Sequence, residues 1–178
     1  MINREDLERA FGADGVVTMN WNEAKDAGLS DENLFLLTRL GLPRDAGPLF
    51  TTNVVGSPEL FTAQPYQSSG QDSVALFLGG PRDEKGMRYF LDVRDGYVVL
   101  LTLKDDGVAK SEIVNSSLAD FLEFIFHLGV WSTAPAPSNV RGQKIETQEF
   151  VMRLMERDDF AFRRPDTWWS MAVEQLRR

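Results

Sequence analysis

The apolar positions of the first 43 residues follow a helical spacing twice. Residues 2–11 form the first predicted helix, which ends at Gly12, and a second helix begins after a capping oxygen of Ser30 or Asp31 and ends at Gly41. Between the two, the pattern predicts a short strand and then a polar loop or single turn. The positions that carry these patterns are Leu7, Ala10 and Phe11 in the first helix, 15–19 in the strand, 22–28 in the polar segment, and Leu34, Leu37 and Leu40 in the second helix.

The middle of the chain changes to the period of two that half-buried strands show. Asp95-Gly96 is a strong two-residue hairpin signal between two such stretches. The stretch 97–103 is apolar on nearly both faces, which predicts a central strand covered by helices. The stretches with strand-like alternation or with a composition rich in Thr and Val are 49–55, 73–78, 88–94, 97–103 and 109–114.

The helical period returns after residue 115 and predicts three more helices. Ser117 and Asp120 have the capping-box spacing at the start of the first, and Gly129 is placed to end it. The second helix is predicted over residues 145–156, and Pro165 opens the third. Their apolar stripes are Leu118, Phe121, Leu122 and Ile125; Phe150, Val151, Leu154 and Met155; and Ala172, Val173 and Leu176 with one of Trp168 and Trp169.

The order of these elements predicts the fold class. Runs of strands followed by runs of helices are typical of α+β proteins. We therefore predict a mostly antiparallel central sheet flanked by helices, with helices at both termini, in a single domain over residues 1–178. Trp168 and Trp169 are consecutive on a helix and point about 100° apart, so we expect one in the core and the other partly exposed.

Composition narrows the class of protein. The 178 residues include no cysteine, which excludes disulfides, thiol catalysis and iron–sulfur clusters. The net charge is -8, and residues 1–150 alone carry 22 acidic and 13 basic residues, a net charge of −9. Such a surface repels nucleic acid and attracts basic proteins. No run approaches the ~20 apolar residues of a membrane span, and no secretory signal is visible, so we expect a cytoplasmic protein without a membrane partner.

The only histidine of the sequence does not make a catalytic or metal site. His127 and Glu123 are four residues apart on the polar face of a predicted helix, together with Asp120. A metal site needs more than one imidazole and two carboxylates on a solvated helix, and acid–base catalysis needs a cleft that desolvates the pair. We expect an exposed helix face with one favourable i, i+4 contact.

Three other motifs lack the partners that their chemistry requires. Gly79-Gly80-Pro81 is not followed by the Lys-Ser/Thr pair of a phosphate loop, and a turn between strands explains it. Ser116 and Ser117 lie in no nucleophile elbow and are interpreted as helix caps. Acidic residues at the strand ends do not match a calcium loop, and we expect them in solvated turns or in a protein contact. These acidic residues are Asp83, Glu84, Asp92, Asp95, Asp105 and Asp106.

Five segments of the chain carry recognisable motifs: the opening helix up to Gly12, LGLP at 40–43, the hairpin strands 89–92 and 96–101, IVNSSLADF at 113–121, and 158–169. Together and in this order they resemble the fourth subfamily of the SUKH superfamily of bacterial immunity proteins. The segment 113–121, which reads IVNSSLADF, resembles the subfamily's signature of Val-Asn-x-Ser-Leu followed by Phe. The segment 40–43, LGLP, resembles its Gly-Leu-Pro turn, and 158–169 resembles its closing helix, which begins with Asp and ends with Trp. The opening helix up to Gly12 and the hairpin strands 89–92 and 96–101 also resemble those of the subfamily.

The resemblance implies a function without catalysis. Members of this family are thought to bind a cognate polymorphic toxin, often a nuclease, inside the producing cell and to block it. The implied fold is α+β, and no cofactor, metal or catalytic residue is implied. As partner-binding residues we predict the acidic hairpin tips and one aromatic anchor: Asp83, Glu84, Asp105, Asp106 and Trp131.

Two alternatives to a toxin-neutralising protein stay open at the level of sequence. A regulatory interaction module of the same fold would bind a housekeeping or signalling protein. A small-molecule hydrolase or binding protein would need a deep pocket with a desolvated carboxylate near Glu123 or His127, and the sequence gives no sign of one.

Overall fold

The computed structural model describes residues 2–68, 70–82, 84, 86–103, 107, 109–133 and 140–176. The helices are α1 (Arg4–Phe11), α2 (Trp21–Asp26), α3 (Asp31–Phe35), α4 (Leu118–Thr133), α5 (Val140–Arg157) and α6 (Trp168–Leu176). The strands are β1 (Val16–Val17), β2 (Leu42–Pro43), β3 (Ala63–Ser68), β4 (Gln71–Gly79), β5 (Met87–Asp92), β6 (Val98–Leu103) and β7 (Ala109–Asn115). This is the predicted α+β fold, with helices at both termini.

The larger sheet is antiparallel throughout and follows the order of the chain, β3-β4-β5-β6-β7. Strands β1 and β2 form a separate two-stranded sheet. Strand β4 ends at Gly79, whose φ of 139° places it in a region that L side chains rarely adopt. A Cβ at this position would lie 2.5 Å from the Thr51 carbonyl oxygen. The glycine-rich segment therefore begins the connection from β4 to β5, but Gly79 itself belongs to β4 and Gly80 bridges to Thr51, so these two glycines do not form the predicted turn.

One face of the sheet carries the hydrophobic core. Tyr89 of β5 is paired with Leu100 of β6, and both are buried. The Tyr89 ring contacts Phe121 of α4 and Trp168 of α6, so these helices pack on this face. On the other face of β6, Val99 and Leu101 are only half buried. As predicted, β6 is an interior strand, paired with β5 and β7, but the expectation that both of its faces are covered is wrong.

Helix α4 continues past the glycine that was expected to end it. It runs to Thr133, and Gly129 lies inside it. A Cβ at Gly129 would overlap the ring of Phe11, which packs against α4 at this point. The glycine is needed for close packing between α1 and α4 and does not terminate the helix.

The helical predictions also need two smaller corrections. Met155 was expected in the core but is exposed, while Phe150, Val151 and Leu154 are buried as predicted. The polar segment after β1 forms a helix of six residues, α2. Helix α3 begins after Ser30, whose side chain accepts a hydrogen bond from the Asn33 amide, and continues as a π-helical segment, Leu36–Leu40.

The β-rich middle differs from the prediction at its start. Residues 49–55 form no strand, and Thr51 makes only isolated bridges to Asp45 and Gly80. Strand β3 was not predicted, because its sequence alternates poorly and contains Pro65, a residue that sheets tolerate at their edges. It is the edge strand, paired with β4.

Both tryptophans at the start of α6 are buried, although one was expected at the surface. Trp168 Nε1 donates to Tyr89 Oη at 2.7 Å, and Trp169 Nε1 donates to Asn115 Oδ1 at 3.0 Å. The Trp169 ring packs against Phe124 with the ring centroids 5.1 Å apart. Because α6 is covered on two adjacent faces, neither indole is free to anchor a partner. Among the described residues, no helix combines the length and apolar character needed to cross a bilayer.

Candidate partner-binding surface

The antiparallel order of the sheet brings two of its loops to the same end. The loop before β5 and the loop after β6 emerge side by side, because the Leu103 amide donates to the Gly86 carbonyl oxygen at 2.9 Å. Glu84 lies in the first of these loops and is exposed, as a charged contact residue must be. The other three predicted acids, Asp83, Asp105 and Asp106, lie outside the described residues.

Trp131, the predicted aromatic anchor, lies in the last turns of α4. It is half buried, and its ring stacks on Phe150 of α5 with a centroid distance of 5.5 Å and an angle of 23° between the planes. The next residue, Ser132, lies beside Gly47 and lines a cleft that Arg82 also lines. The end of α4 and the loop that carries Glu84 therefore flank the same cleft.

The residues that line this cleft include one ion pair but form no catalytic arrangement. Its charged side chains, Asp45 and Arg82, are bonded to each other, and both are about half exposed. Apolar and small residues form the rest of the lining: Phe11, Ala46, Gly47, Pro48, Gly129 and Ser132. Neither Glu123 nor His127 lines it. An exposed ion pair of this kind contributes little to stability. Its two charges lie at the edge of the cleft, where a partner could contact them.

Glu123 is buried, which contradicts the prediction of a solvated helix face. Its carboxylate accepts from the Ile2 amide at 2.9 Å and lies 3.5 Å from His127 Nε2. The hydrogen bond with His127 lowers the pKa of Glu123 to about 2, against the opposing effect of burial and with help from the Ile2 amide and the positive charge of Arg157. The pair ties the start of the chain to α4 and does not line the cleft between Asp45, Arg82 and the end of α4.

Asp92, another acid expected in a solvated turn, is also buried. It accepts hydrogen bonds from the Tyr66 hydroxyl, from Ser73 Oγ at 2.8 Å and from the amides of Arg94 and Asp95. Burial raises the pKa of Asp92, but these hydrogen bonds outweigh it and hold the pKa below its usual value. Every oxygen of this carboxylate is occupied within the fold, so Asp92 fixes the hairpin between β5 and β6 and does not face a partner.

The residues behind the family resemblance form one network between β7 and the end of α5, in which Asn115, Asp158 and Trp169 are buried and Ser116 is exposed. Asp158 accepts from Asn115 Nδ2 at 3.1 Å, from the Ser116 amide at 2.9 Å and from Ser116 Oγ at 2.9 Å. Trp169 completes it by donating to Asn115. A buried carboxylate is stable only when donors surround it, which explains why the motif pairs Asn-Ser with a distant Asp and Trp.

Of the two serines interpreted as caps, only Ser117 caps α4. Ser117 Oγ accepts from the Asp120 amide at 3.1 Å and donates to the Asp120 carboxylate at 2.6 Å. Asp120 also pairs with Arg157 of α5, with Nε and Oδ1 2.6 Å apart. Ser116 instead belongs to the Asp158 network. These motif residues hold α4, α5 and α6 on the sheet, and they do not form a surface.

Sequence reasoning missed one exposed feature. Trp21 and Phe35 project from α2 and α3, and both are exposed. The signal available in the sequence was a Trp in a polar segment and a Phe off the apolar stripe of the second helix.

Comparison with known proteins gives one match. No curated protein and no solved structure matches the chain. A family profile described as SUKH-4 immunity protein matches residues 2–175, which is nearly the whole chain. The match covers the Asn115, Asp158 and Trp169 network described above. The chain therefore belongs to the SUKH-4 immunity protein family.

Proposed function

We propose that this protein neutralises a cognate polymorphic toxin by binding it, without catalysis, in the cytoplasm of the cell that makes the toxin. Membership of the SUKH-4 immunity protein family carries this proposal. The buried carboxylates support the part of the proposal that excludes catalysis. Glu123, Asp92 and Asp158 each accept hydrogen bonds from donors within the fold.

The charge of the molecule favours a basic toxin, such as a nuclease. The chain carries 27 acidic and 19 basic residues. A nuclease that binds a phosphate backbone presents a basic surface, and opposite potentials speed the association of two proteins. An acidic protein that covers such a surface blocks the nucleic acid from reaching it.

The charged contacts are proposed at the end of the sheet that carries Glu84. Glu84, together with Asp83, Asp105 and Asp106 of the sequence, would supply negative charge there, and Trp131 would contribute the exposed part of its ring. Charges at an interface rim act mainly on the association rate and on its dependence on salt.

Complex formation with the toxin domains encoded by the neighbouring genes tests the function. Each domain is purified as an inactive variant and mixed with this protein, and the mass of the complex is measured by light scattering after gel filtration. We expect a stable 1:1 complex with one of them, and protection of cells that co-express the active form of that domain. Absence of both binding and protection would contradict the proposal, and a complex with a housekeeping or signalling protein instead would favour a regulatory interaction module.

A further inference from the structure

The exposed aromatic residues of the chain are concentrated in one region. The chain has 19 aromatic residues, all in the described ranges, and only three are exposed. These are Trp21, Phe35 and Tyr97, with exposed fractions of 44%, 60% and 38%. Scattered exposed apolar residues are ordinary, but exposed aromatic residues grouped at one end of a molecule mark a contact surface.

Two distances place the elements that carry the three residues next to one another. Trp21 begins α2, Phe35 ends α3, and Tyr97 follows the turn between β5 and β6. A Cβ at Gly96 of that turn would lie 3.8 Å from the Asn33 side chain of α3. The Arg39 guanidinium, one helical turn beyond Phe35, lies 5.9 Å from the centroid of the Trp21 ring. We call Trp21, Phe35 and Tyr97 the aromatic face.

Packing inside the fold does not require Phe35. The second helical segment buries Leu34, Leu36, Leu37 and Leu40, which already form its contact with the core. Phe35 points away from that stripe, and a polar residue at position 35 would leave the packing of the core unchanged. The charged groups of Lys25 and Arg39 lie 5.7 Å and 5.9 Å from the centroid of the Trp21 ring, and 44% of Trp21 is still exposed.

The rim of the aromatic face is acidic. Four acids of α2 and α3 are exposed and form no ion pair with any residue that the structure describes. They are Glu23, Asp26, Asp31 and Glu32. The two bases nearby, Lys25 of α2 and Arg39 of the π-helical segment, are fewer than the four acids, so the rim carries a negative surplus. Two copies of this face would repel each other, whereas a basic surface would complement it.

We infer that the aromatic face is a docking surface for a basic protein, with Trp21 and Phe35 entering apolar pockets inside a ring of lysine and arginine side chains. The inference rests on the proposed function, and it assigns the toxin as that protein. Trp and other aromatic residues contribute most to binding where a partner excludes water from them, and the charges around them act as a rim. This surface is distinct from the end of the sheet that carries Glu84.

Single substitutions in the complex with the cognate toxin domain test the aromatic face. Phe35→Ala and Trp21→Ala are expected to weaken binding at least about tenfold each, mainly through faster dissociation. Met152→Ala is the matched control, because Met152 is also an exposed apolar residue (58%) but lies on α5. It should leave the affinity unchanged. Equal affinity for wild type, Phe35→Ala and Trp21→Ala overturns the inference.

A charge test separates the local rim from the net charge of the molecule. Glu32→Lys and Glu156→Lys change the total charge equally, and Glu156 is exposed on α5. Only Glu32→Lys should lower the association rate severalfold and reduce its dependence on salt. Equal effects of the two variants would overturn the assignment of the rim.

Hydrogen exchange of the wild-type complex covers the case in which a variant fails to fold. We expect the amides of α2 and α3 to be protected when the toxin domain is bound, and unchanged exchange there overturns the inference. If wild-type protein binds no toxin domain, the proposed function and this inference fail together. If wild type binds and the aromatic-face variants bind equally well, only the inference fails.

Discussion

Asn115 and Asp158 are 43 residues apart in the chain and share a buried hydrogen bond of 3.1 Å between Nδ2 and Oδ2. The Asn115 side chain is fully buried, and its Oδ1 is occupied by Trp169. One amide therefore links the end of β7 to α5 and α6 at once. The most recognisable segment of the sequence is for this reason a structural motif, and it keeps the helices in place behind whatever surface the partner contacts.

Removing the Asp158 carboxylate should destabilise the fold. Asp158→Ala leaves the buried Asn115 side-chain amide without its acceptor and removes two hydrogen bonds from Ser116, which is exposed. A buried polar group without a partner costs about 1–3 kcal/mol. We expect the free energy of unfolding in urea to fall by about 2–4 kcal/mol. Asp159→Ala is the control, since Asp159 is adjacent and exposed. If the two variants are equally stable, the network does not hold the helices.

Adding a methyl group at Gly129 should disturb the contact between α1 and α4. Gly129→Ala drives a Cβ into the Phe11 ring, and overpacking of this kind costs about 1–3 kcal/mol. Replacing glycine by alanine inside a helix normally stabilises it, so a loss of stability in Gly129→Ala would identify the clash with Phe11 as its cause. Combining it with Phe11→Leu should recover part of the loss, as thermal unfolding would show. A stabilised Gly129→Ala variant would mean that the two helices separate easily.

The stability of the protein should fall in acid partly through Glu123. Its pKa is lowered from 4.5 to about 2 in the folded protein, so folding favours the charged form. The contribution is complete above about pH 4.5 and is lost as the pH falls through the interval between 4.5 and 2. Glu123→Gln keeps the shape of the side chain and removes the titration. The difference in unfolding free energy between wild type and Glu123→Gln should therefore shrink from pH 6 to pH 2. A constant difference would contradict the assignment.

Reversing the charge at Glu84 tests the predicted hairpin-tip surface. Glu84→Lys should slow association with the toxin domain about twofold to tenfold at low salt and leave dissociation nearly unchanged, because Glu84 is exposed and would lie at a rim. Stopped-flow measurements at two salt concentrations separate the two rates. Glu156→Lys is again the control for the change in net charge. If both variants slow association equally, Glu84 is not part of the interface.

The sequence predicted most elements because their patterns are local. The stripe from Leu118 to Ile125 and the cap at Ser117 act within a few residues, and both are present in the structure. The hairpin at Asp95-Gly96 is also present, but its loop is longer than two residues, because the Asp92 amide donates to the Tyr97 carbonyl oxygen. The misses depend on distant partners. Gly129 is explained only by Phe11, the burial of Glu123 only by Ile2, and the burial of Trp168 only by Tyr89.

The candidate surface was harder to predict than the fold. Acids at strand ends look alike in the sequence, yet Glu84 is exposed and Asp92 is enclosed by Tyr66 and Ser73. The position of Phe35 off the stripe that includes Leu34 was a local signal of exposure, but that position does not tell whether another element of the fold covers the ring. Three-dimensional burial decides which of these side chains a partner can reach.

The contacts of α6 also determine when the core of this protein can be completed during synthesis. Trp168 bonds to a tyrosine 79 residues earlier, and Trp169 to an asparagine 54 residues earlier. During synthesis on the ribosome, Tyr89 and Asn115 emerge long before the indoles that complete their surroundings. The interior is sealed only when α6 has left the ribosome, so a nascent chain halted before residue 168 would lack both indoles that complete its core.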